Sequence, residues 1–341
     1  MIKQATEINK MIDAAQRIVI VQADNPDADS LASALALEQI LDKLGKEPYL
    51  YCGVDMPGYL TYLPGWDRVQ KTLPTKFDAS IIVDTAALSL LETLEKNGQK
   101  SWLASKPCVI IDHHVTKPTI NFASIICIEQ AVATGEIIYD LAKQLDWPLN
   151  MTAQNMLATS IMSDSLGLVS EGTTAHSIHI IAELVEGGVK LAALDSARRD
   201  MMRKSPELQR YKGHLLQRIE YFSGNRIATI TIPWSEIERY SPSYNPSMLV
   251  IDEMRLTEGT DIAIAFKTYK DDKITAKIRC NFGKTIAAKV AEHFGGGGHP
   301  YASGFKCTDG RSLEQVKTET IKLATKLLDE LNKSPKNNET L

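Results

Sequence analysis

Cys108-Val109-Ile110-Ile111-Asp112-His113-His114 is the stretch that decides the fold. The apolar run Cys108 to Ile111 reads as a short strand, and it ends on an acid and two imidazoles. Working outward, the pattern recurs. Ile18 to Val21 precedes Asp27-Ala28-Asp29, Ile81-Ile82-Val83 runs into Asp84, and the apolar stretch Met156 to Met162 is followed by Asp164. Acids and imidazoles that repeatedly close apolar runs are poorly explained as solvated surface. They predict ligands converging at the carboxyl edge of a parallel sheet, where open α/β folds place their sites.

The flanking segments alternate. Residues 6–16 have helical spacing and Arg17 to Gln22 is strand-like. Ser30 to Leu44 carries apolar residues at helical spacing, with Asp29 or Ser30 as N-cap. Pro48 to Cys52, Ala79 to Val83 and Pro107 to Ile111 read as further strands, with helices at 88–96, 131–146, 151–163 and 175–187. This order predicts an α/β fold whose N-terminal part is a mostly parallel sheet with helices on both faces.

The texture changes near Gly187-Gly188. Residues 189–223 are rich in helix formers and read as a helical linker, with basic residues that include Arg198, Arg199, Arg203 and Arg210. That basic cluster is either a solvated helix face or a set of groups facing a phosphate-bearing cleft. Beyond it, strands at 226–232, 261–268 and 273–278 and helices at 284–293 and 312–333 predict a smaller α/β C-terminal domain. The expected organisation is a first domain over 1–188, the linker over 189–223, a second domain over 224–333 and a flexible tail at 334–341.

Bulk properties narrow the function classes. The 341 residues suffice for two domains with ordinary cores. A formal charge of -4 gives no global attraction to nucleic acid or membrane, so any polyanion site must be a local patch. The five cysteines are scattered and odd in number, which predicts reduced thiols and a cytoplasmic setting rather than a disulfide framework. No Cys/His cluster points to structural zinc. The N-terminus has no signal-peptide pattern, and no apolar stretch is long enough to span a bilayer.

Carboxylates with imidazole suit Mn²⁺, Mg²⁺ or Fe²⁺. Asp27 and Asp29 are two apart, so in an extended segment both project to one side and can reach one site. Asp84, at the next strand end, can bridge two ions. Two ions about 3.5–4 Å apart activate a bridging water and brace an in-line displacement, so hydrolysis at phosphorus is the natural reaction. Individually these pieces are ordinary: Asp-x-Asp is commonly a turn or cap, and a His-His pair is commonly structural. The ordered set, each member at a strand or helix end, carries the argument.

The set resembles the DHH phosphoesterase family with its DHH-associated C-terminal domain, and within it the short two-domain oligoribonuclease and pAp phosphatase type. The motifs are Asn25-Pro26-Asp27-Ala28-Asp29-Ser30, Val83-Asp84-Thr85, Asp112-His113-His114 and Ile161-Met162-Ser163-Asp164-Ser165-Leu166-Gly167, followed by the Gly295 to Gly298 run with His299, Ala302 and Gly304. The resemblance implies a manganese-dependent hydrolase with two ions, Mg²⁺ or another divalent ion being an alternative. Asp27 and Asp84 would hold one ion; Asp29, Asp84, His113 and Asp164 would hold the other. His114 would contact the scissile phosphate, with Asp112 orienting the imidazoles. Arg279 would clamp a phosphate or terminal nucleotide, and Gly296, Gly297 and His299 would receive the 5′ end of the substrate. The glycine run lacks the Lys-Ser/Thr of a P-loop, so it is not read as an ATP site.

One position departs from the family pattern. Ala23 stands where the family carries a metal-ligating histidine, four positions before Asp27. Three readings follow. Asp24, Asn25 or water fills the position; or one ion binds tightly and the second arrives with substrate phosphate; or catalysis is lost and binding retained.

The leading expectation is a metal-dependent phosphodiesterase or phosphatase acting on short oligonucleotides, linear dinucleotides or nucleotide phosphates such as pAp. Aromatics are 6% of the chain and not interleaved with the basic cluster, which argues against a long single-strand channel. The expected partners are short substrates, with no membrane and no long duplex; a homodimer is compatible with the resemblance. Alternatives are a cyclic-dinucleotide phosphodiesterase, a catalytically weakened nucleotide-binding protein, and a family II pyrophosphatase, which the glycine run argues against.

Overall fold

The computed structural model describes residues 1–114 and 117–333, so the tail expected at 334–341 lies outside the described residues. The chain divides into two compact units, with the boundary between Arg203 and Lys204. That boundary falls inside the segment read as a linker.

The first unit runs α1 (Ala5–Ala14), β1 (Arg17–Val21), α2 (Ala28–Lys43), β2 (Glu47–Tyr51), β3 (Ala79–Val83), α3 (Glu92–Lys96), α4 (Lys100–Ala104), β4 (Cys108–Asp112), β5 (Ile125–Ile128), α5 (Thr134–Gln144), α6 (Met151–Asp164), α7 (Ala175–Glu186) and α8 (Leu191–Met201). Its strands form one parallel sheet in the order β2-β1-β3-β4-β5. Both faces of the central strands are covered, and β1, β3 and β4 are correspondingly apolar along most of their length. Ile18, Ile20, Ile81, Val83, Val109 and Ile111 face α2, α5 and α6. Val19, Val21, Ile82, Cys108 and Ile110 face Leu91, Leu94 and Leu103. The α/β class and the parallel sheet with helices on both faces are as expected. β5 was not expected; it is a four-residue edge strand with only Cys127 fully buried, too short for a periodic signal.

The second unit contains α9 (Pro206–Gln217), β6 (Glu220–Phe222), β7 (Ile227–Ile232), α10 (Trp234–Tyr240), α11 (Ile251–Arg255), β8 (Ile262–Thr268), β9 (Ile274–Cys280), α12 (Ala287–His293), β10 (Gly297–His299), β11 (Ala302–Cys307) and α13 (Leu313–Lys333). Six strands form a mixed sheet in the order β10-β11-β9-β8-β7-β6, antiparallel except for β7 with β8. α12 and α13 cover one face. On the other face, α9, α10 and α11 cover β7 and β8. β7 is therefore buried on both faces, Thr229 included. Among the described residues no helix is long and apolar enough to cross a membrane. All five cysteines are buried and free.

Candidate metal centre

The parallel sheet brings its motifs to one edge because β1, β3 and β4 all end there. Asp84 follows the last residue of β3, Asp112 ends β4, and the segment after β1 leads into α2. Asp84 has φ 61, a left-handed conformation that costs an ordinary residue about 1–3 kcal/mol and that aspartate tolerates better than most. Its backbone N–H donates to Ile111 O at 3.0 Å, so the turn is pinned to β4.

His113 organises the cluster. Its Nδ1 lies 3.2 Å from Ala131 O. A carbonyl only accepts, so in the neutral ring Nδ1 carries the hydrogen and Nε2 presents its lone pair. Nε2 is buried and has no hydrogen-bond partner among the described residues. Around it stand Asp84 Oδ1 at 3.5 Å, Asp164 Oδ2 at 3.6 Å and Asp29 Oδ2 at 3.7 Å. These separations are long for hydrogen bonds. They approach the spacing of donors around a shared ion, because ligands held at about 2.0–2.1 Å stand about 3–3.5 Å from one another.

The electrostatics point the same way. Burial, then Asp29 and Asp27, push the Asp84 carboxyl well above the usual carboxylate range. The same causes push Asp164 up to about 7. Carboxylates crowded against one another in a desolvated site suit a divalent cation, which relieves both the repulsion and the burial penalty.

Asp29 is fully buried and fixed by three further donors. Thr134 N–H reaches Oδ2 at 2.8 Å, while Ser33 Oγ at 2.9 Å and Ser160 Oγ at 2.5 Å reach Oδ1. Thr134 also donates through Oγ1 to Asp84 Oδ1 at 3.1 Å, so one residue at the start of α5 aligns two carboxylates. The approach of α5 to α6 requires Gly135, where a Cβ would meet Ser160 Oγ at 2.1 Å. Asp112 is fully buried and accepts from His114 twice, from the backbone N–H at 3.1 Å and from Nδ1 at 2.7 Å. That hydrogen bond is the main cause raising the His114 pKa, and it leaves a half-exposed ring whose Nε2 points away from Asp112.

Asp27 sits apart from the donor set around His113. It is the N-cap of α2, with Oδ1 accepting from Ser30 N–H at 3.0 Å, and it belongs to neither group of metal-competent side chains among the described residues, Asp29 with His113 and Asp164 or Asp84 with His113 and His114. Burial, opposed by that N–H and reinforced by Asp29, raises its carboxyl. Ala23 is buried, and its carbonyl accepts from Cys52 Sγ at 3.3 Å. Asp24, one option for the histidine's place, has Oδ2 accepting from Thr93 N–H at 2.7 Å, capping the start of α3. Gly53 makes room for this carboxylate, since a Cβ there would meet Asp24 Oδ1 at 2.5 Å. Asn25 is exposed.

In the second unit Arg279 lies on β9, with Nη1 donating to Ile278 O at 2.8 Å. The glycine run is not a free loop. Gly297–His299 forms edge strand β10, paired with β11 so that His299 stands opposite Ala302 and Ala302 opposite Arg279. Arg279 and His299 therefore share one face of the sheet. Gly296 is required by packing, because a Cβ would meet Gly304 O at 2.3 Å. Thr134, Ser33, Ser160 and the Ala131 carbonyl were not singled out from sequence. The only signal was Thr134-Gly135 at a helix start, which looks like many other helix starts.

Comparison with known proteins agrees with this architecture. Residues 17–173 match the DHH family, N-terminal domain, and residues 242–331 match the DHHA1 domain. The "Bifunctional oligoribonuclease and PAP phosphatase NrnA" of Thermus thermophilus is 27% identical over 304 residues, covering 88% of this chain and 86% of that protein. The protein of the same name from Bacillus subtilis is 24% identical over 305 residues, covering 88% and 92%. The crystal structure of an exopolyphosphatase-related protein from Bacteroides fragilis shares the fold, with a TM-score of 0.82 at 20% identity over 96% of this chain and 97% of that one. With both domain types present and in order, the chain belongs to the DHH family of phosphoesterases.

Proposed function

We propose that this protein is a divalent-metal-dependent hydrolase of phosphoester bonds in short oligonucleotides and small nucleotide phosphates such as pAp. The observation that carries the reading is the buried, unpartnered His113 Nε2 ringed by Asp29, Asp84 and Asp164. The curated relatives named for oligoribonuclease and PAP phosphatase activity support the substrate class. A divalent ion held by this donor set supplies Lewis-acid stabilisation of phosphoryl charge and activation of a water. The side chains do the rest. Thr134, Ser33 and Ser160 hold the carboxylates in place. His114, kept protonated to higher pH by Asp112, offers a cation at the exposed edge of the site where a substrate phosphate would lie.

The donors are unequal. Around His113 three carboxylates stand within reach of its Nε2, Asp29 and Asp164 in one group of donors and Asp84 with His114 in a second that shares the ring. The remaining set has Asp27 and the shared Asp84, with no donor at position 23 and Asp24 engaged elsewhere. One ion is therefore tightly held, and a second is held weakly until substrate phosphate adds its oxygens. Mn²⁺ titration by calorimetry tests this directly: one tight site is expected without ligand and two in the presence of a non-hydrolysable dinucleotide. Two equally tight sites without ligand would refute it.

The activity test is Mn²⁺ with a ladder of 5′-phosphorylated RNA and DNA oligomers, using the protein and its His113→Ala variant. Mononucleotide release abolished by His113→Ala is the expected result. Ala23 favours a second reading, a nucleotide-binding protein with weakened catalysis. Silence that Ala23→His converts to turnover would select that reading.

A further inference from the structure

One buried acid beside the metal centre is neither a ligand nor a partner in an ion pair. Glu136, in the first turn of α5, is 3% exposed, belongs to neither group of metal-competent donors and pairs with no cation among the described residues. Its Oε2 accepts from the Ser177 hydroxyl at 2.8 Å and from the Val132 N–H at 3.3 Å. A third helical residue that reaches back past the helix start is a familiar capping device, but glutamine serves that purpose as well as glutamate. Both donors are neutral, and burying a carboxylate without a cation is costly. The charge itself is therefore what needs an explanation.

The Val132 donor supplies one. The Val132 N–H and the Ala131 carbonyl belong to one planar peptide group. That carbonyl accepts from His113 Nδ1 at 3.2 Å. The Glu136 carboxylate, a single peptide group and the His113 ring are thus linked in series, and the far nitrogen of the ring faces Asp29, Asp84 and Asp164. An anion on the N–H side of a peptide draws its resonance towards the form with negative charge on oxygen. Hydrogen bonds linked in this way strengthen one another by about 10–30% per bond. A stronger acceptor at Nδ1 makes Nε2 a better donor to a metal, as a carboxylate in direct contact with a ligating histidine does. The anion is anchored from α7, where Ser177 and Thr174 form a capping box at the positive end of a 12-residue helix.

We propose that Glu136 is a positioning residue that acts on the metal centre through the Ala131–Val132 peptide, a carboxylate–peptide–imidazole relay that sets how strongly His113 holds its ion. The inference rests on the metal-dependent reading above and adds a residue that touches neither ion nor substrate. No proton is transferred along the relay; Glu136 acts by polarising the peptide. The turn it holds also carries Thr134, whose N–H and hydroxyl align Asp29 and Asp84.

The test uses the full-length protein and two variants. Glu136→Gln keeps the shape and an acceptor oxygen but removes the charge, and should weaken Mn²⁺ about tenfold by calorimetry. Ser177→Ala cuts the tie between α5 and α7 at the same oxygen but leaves the carboxylate on Val132, and should bind Mn²⁺ within about threefold of the unmodified protein. Nitrogen-15 histidine NMR of the protein loaded with diamagnetic Zn²⁺ supplies the second readout. The His113 Nδ1–H proton, assigned by its absence in His113→Ala, should move upfield in Glu136→Gln. It should move downfield in Ser177→Ala, where Oε2 has one donor fewer to share. A capping role alone predicts that Ser177→Ala loses affinity and that the proton moves the same way in both variants or stays. Either result would overturn the relay, as would Mn²⁺ affinity in Glu136→Gln within twofold of the unmodified protein. If Glu136→Gln does not fold, the direction of the shift in Ser177→Ala decides alone. Tight Mn²⁺ binding that Glu136→Gln leaves intact removes the relay only, whereas failure of the unmodified protein to bind Mn²⁺ removes the metal-dependent reading and the relay with it.

Discussion

Asp164→Asn should stabilise the metal-free protein and abolish most of its stabilisation by metal. Burial and the neighbouring Asp29 and Asp27 raise the Asp164 carboxyl from 3.8 to about 7. An acid with a raised folded-state pKa is protonated in the folded chain while already ionised in the unfolded one. Its stability contribution is complete below pH 4 and is lost as pH rises through about 7. At about 1.4 kcal/mol per pH unit the shift corresponds to about 4 kcal/mol as an upper limit. The carboxylate is 27% exposed and shares its repulsion with three others, so about 1–2 kcal/mol is the working figure. For a unit of this size that is about 3–6 °C in melting temperature. Thermal melts at pH 8 in EDTA should show Asp164→Asn melting higher than the unmodified protein, and the difference should vanish at pH 4. Adding Mn²⁺ should then raise the unmodified protein above the variant. Equal melting in EDTA at pH 8, or an equal gain from Mn²⁺ in both, would refute the account of crowded carboxylates awaiting a cation.

Three further outcomes are expected. Asp112→Asn should lower kcat by about 10²-fold and move the alkaline limb of the pH–rate profile to lower pH, because the hydrogen bond from Asp112 is what raises the His114 pKa; an unmoved limb would separate His114 from the rate. Thr134→Val keeps the backbone donor to Asp29 but removes the hydroxyl on Asp84, and should weaken Mn²⁺ about tenfold by calorimetry with little change in fold. Gly135→Ala drives a methyl into Ser160 Oγ and should destabilise the first unit by about 1–3 kcal/mol, read as a lower melting temperature in EDTA.

The parts of the fold that sequence made legible are those with strong local signals. β1, β3 and β4 are buried on both faces, so each carries three or four consecutive apolar residues (Ile18 to Val21, Ile81 to Val83, Cys108 to Ile111), and each runs into or towards the acids of a motif. β5, β6, β10 and β11 were missed for physical reasons. β6 and β10 are three-residue edge strands, and β11 carries Gly304, which interrupts any apolar alternation. The glycine run gave no strand signal because its pairing partner is supplied by chain that follows it. At the site, residues in motifs were visible as a set, while their supports were not. Thr134 acts through a backbone N–H and a hydroxyl, and Ala131 through a carbonyl, groups that carry no compositional signal. Asp24 illustrates the converse: an acid next to a missing ligand looked available until its bond to Thr93 showed where it points.

The two chemically distinctive surfaces differ in how much chain each must gather. The donors around His113 come from residues 29, 84, 113 and 164, and β1, β3 and β4 are parallel neighbours joined by long crossings. The sheet face that carries Lys267, Lys277 and Arg279 comes from residues 262–307, largely from strands that pair antiparallel. Surfaces built from distant segments form late, since each loop must close before its contacts reward it, whereas local antiparallel pairings form early. On refolding, the basic face of the second unit should thus be in place while the acidic pocket of the first is still an unassembled scatter of side chains.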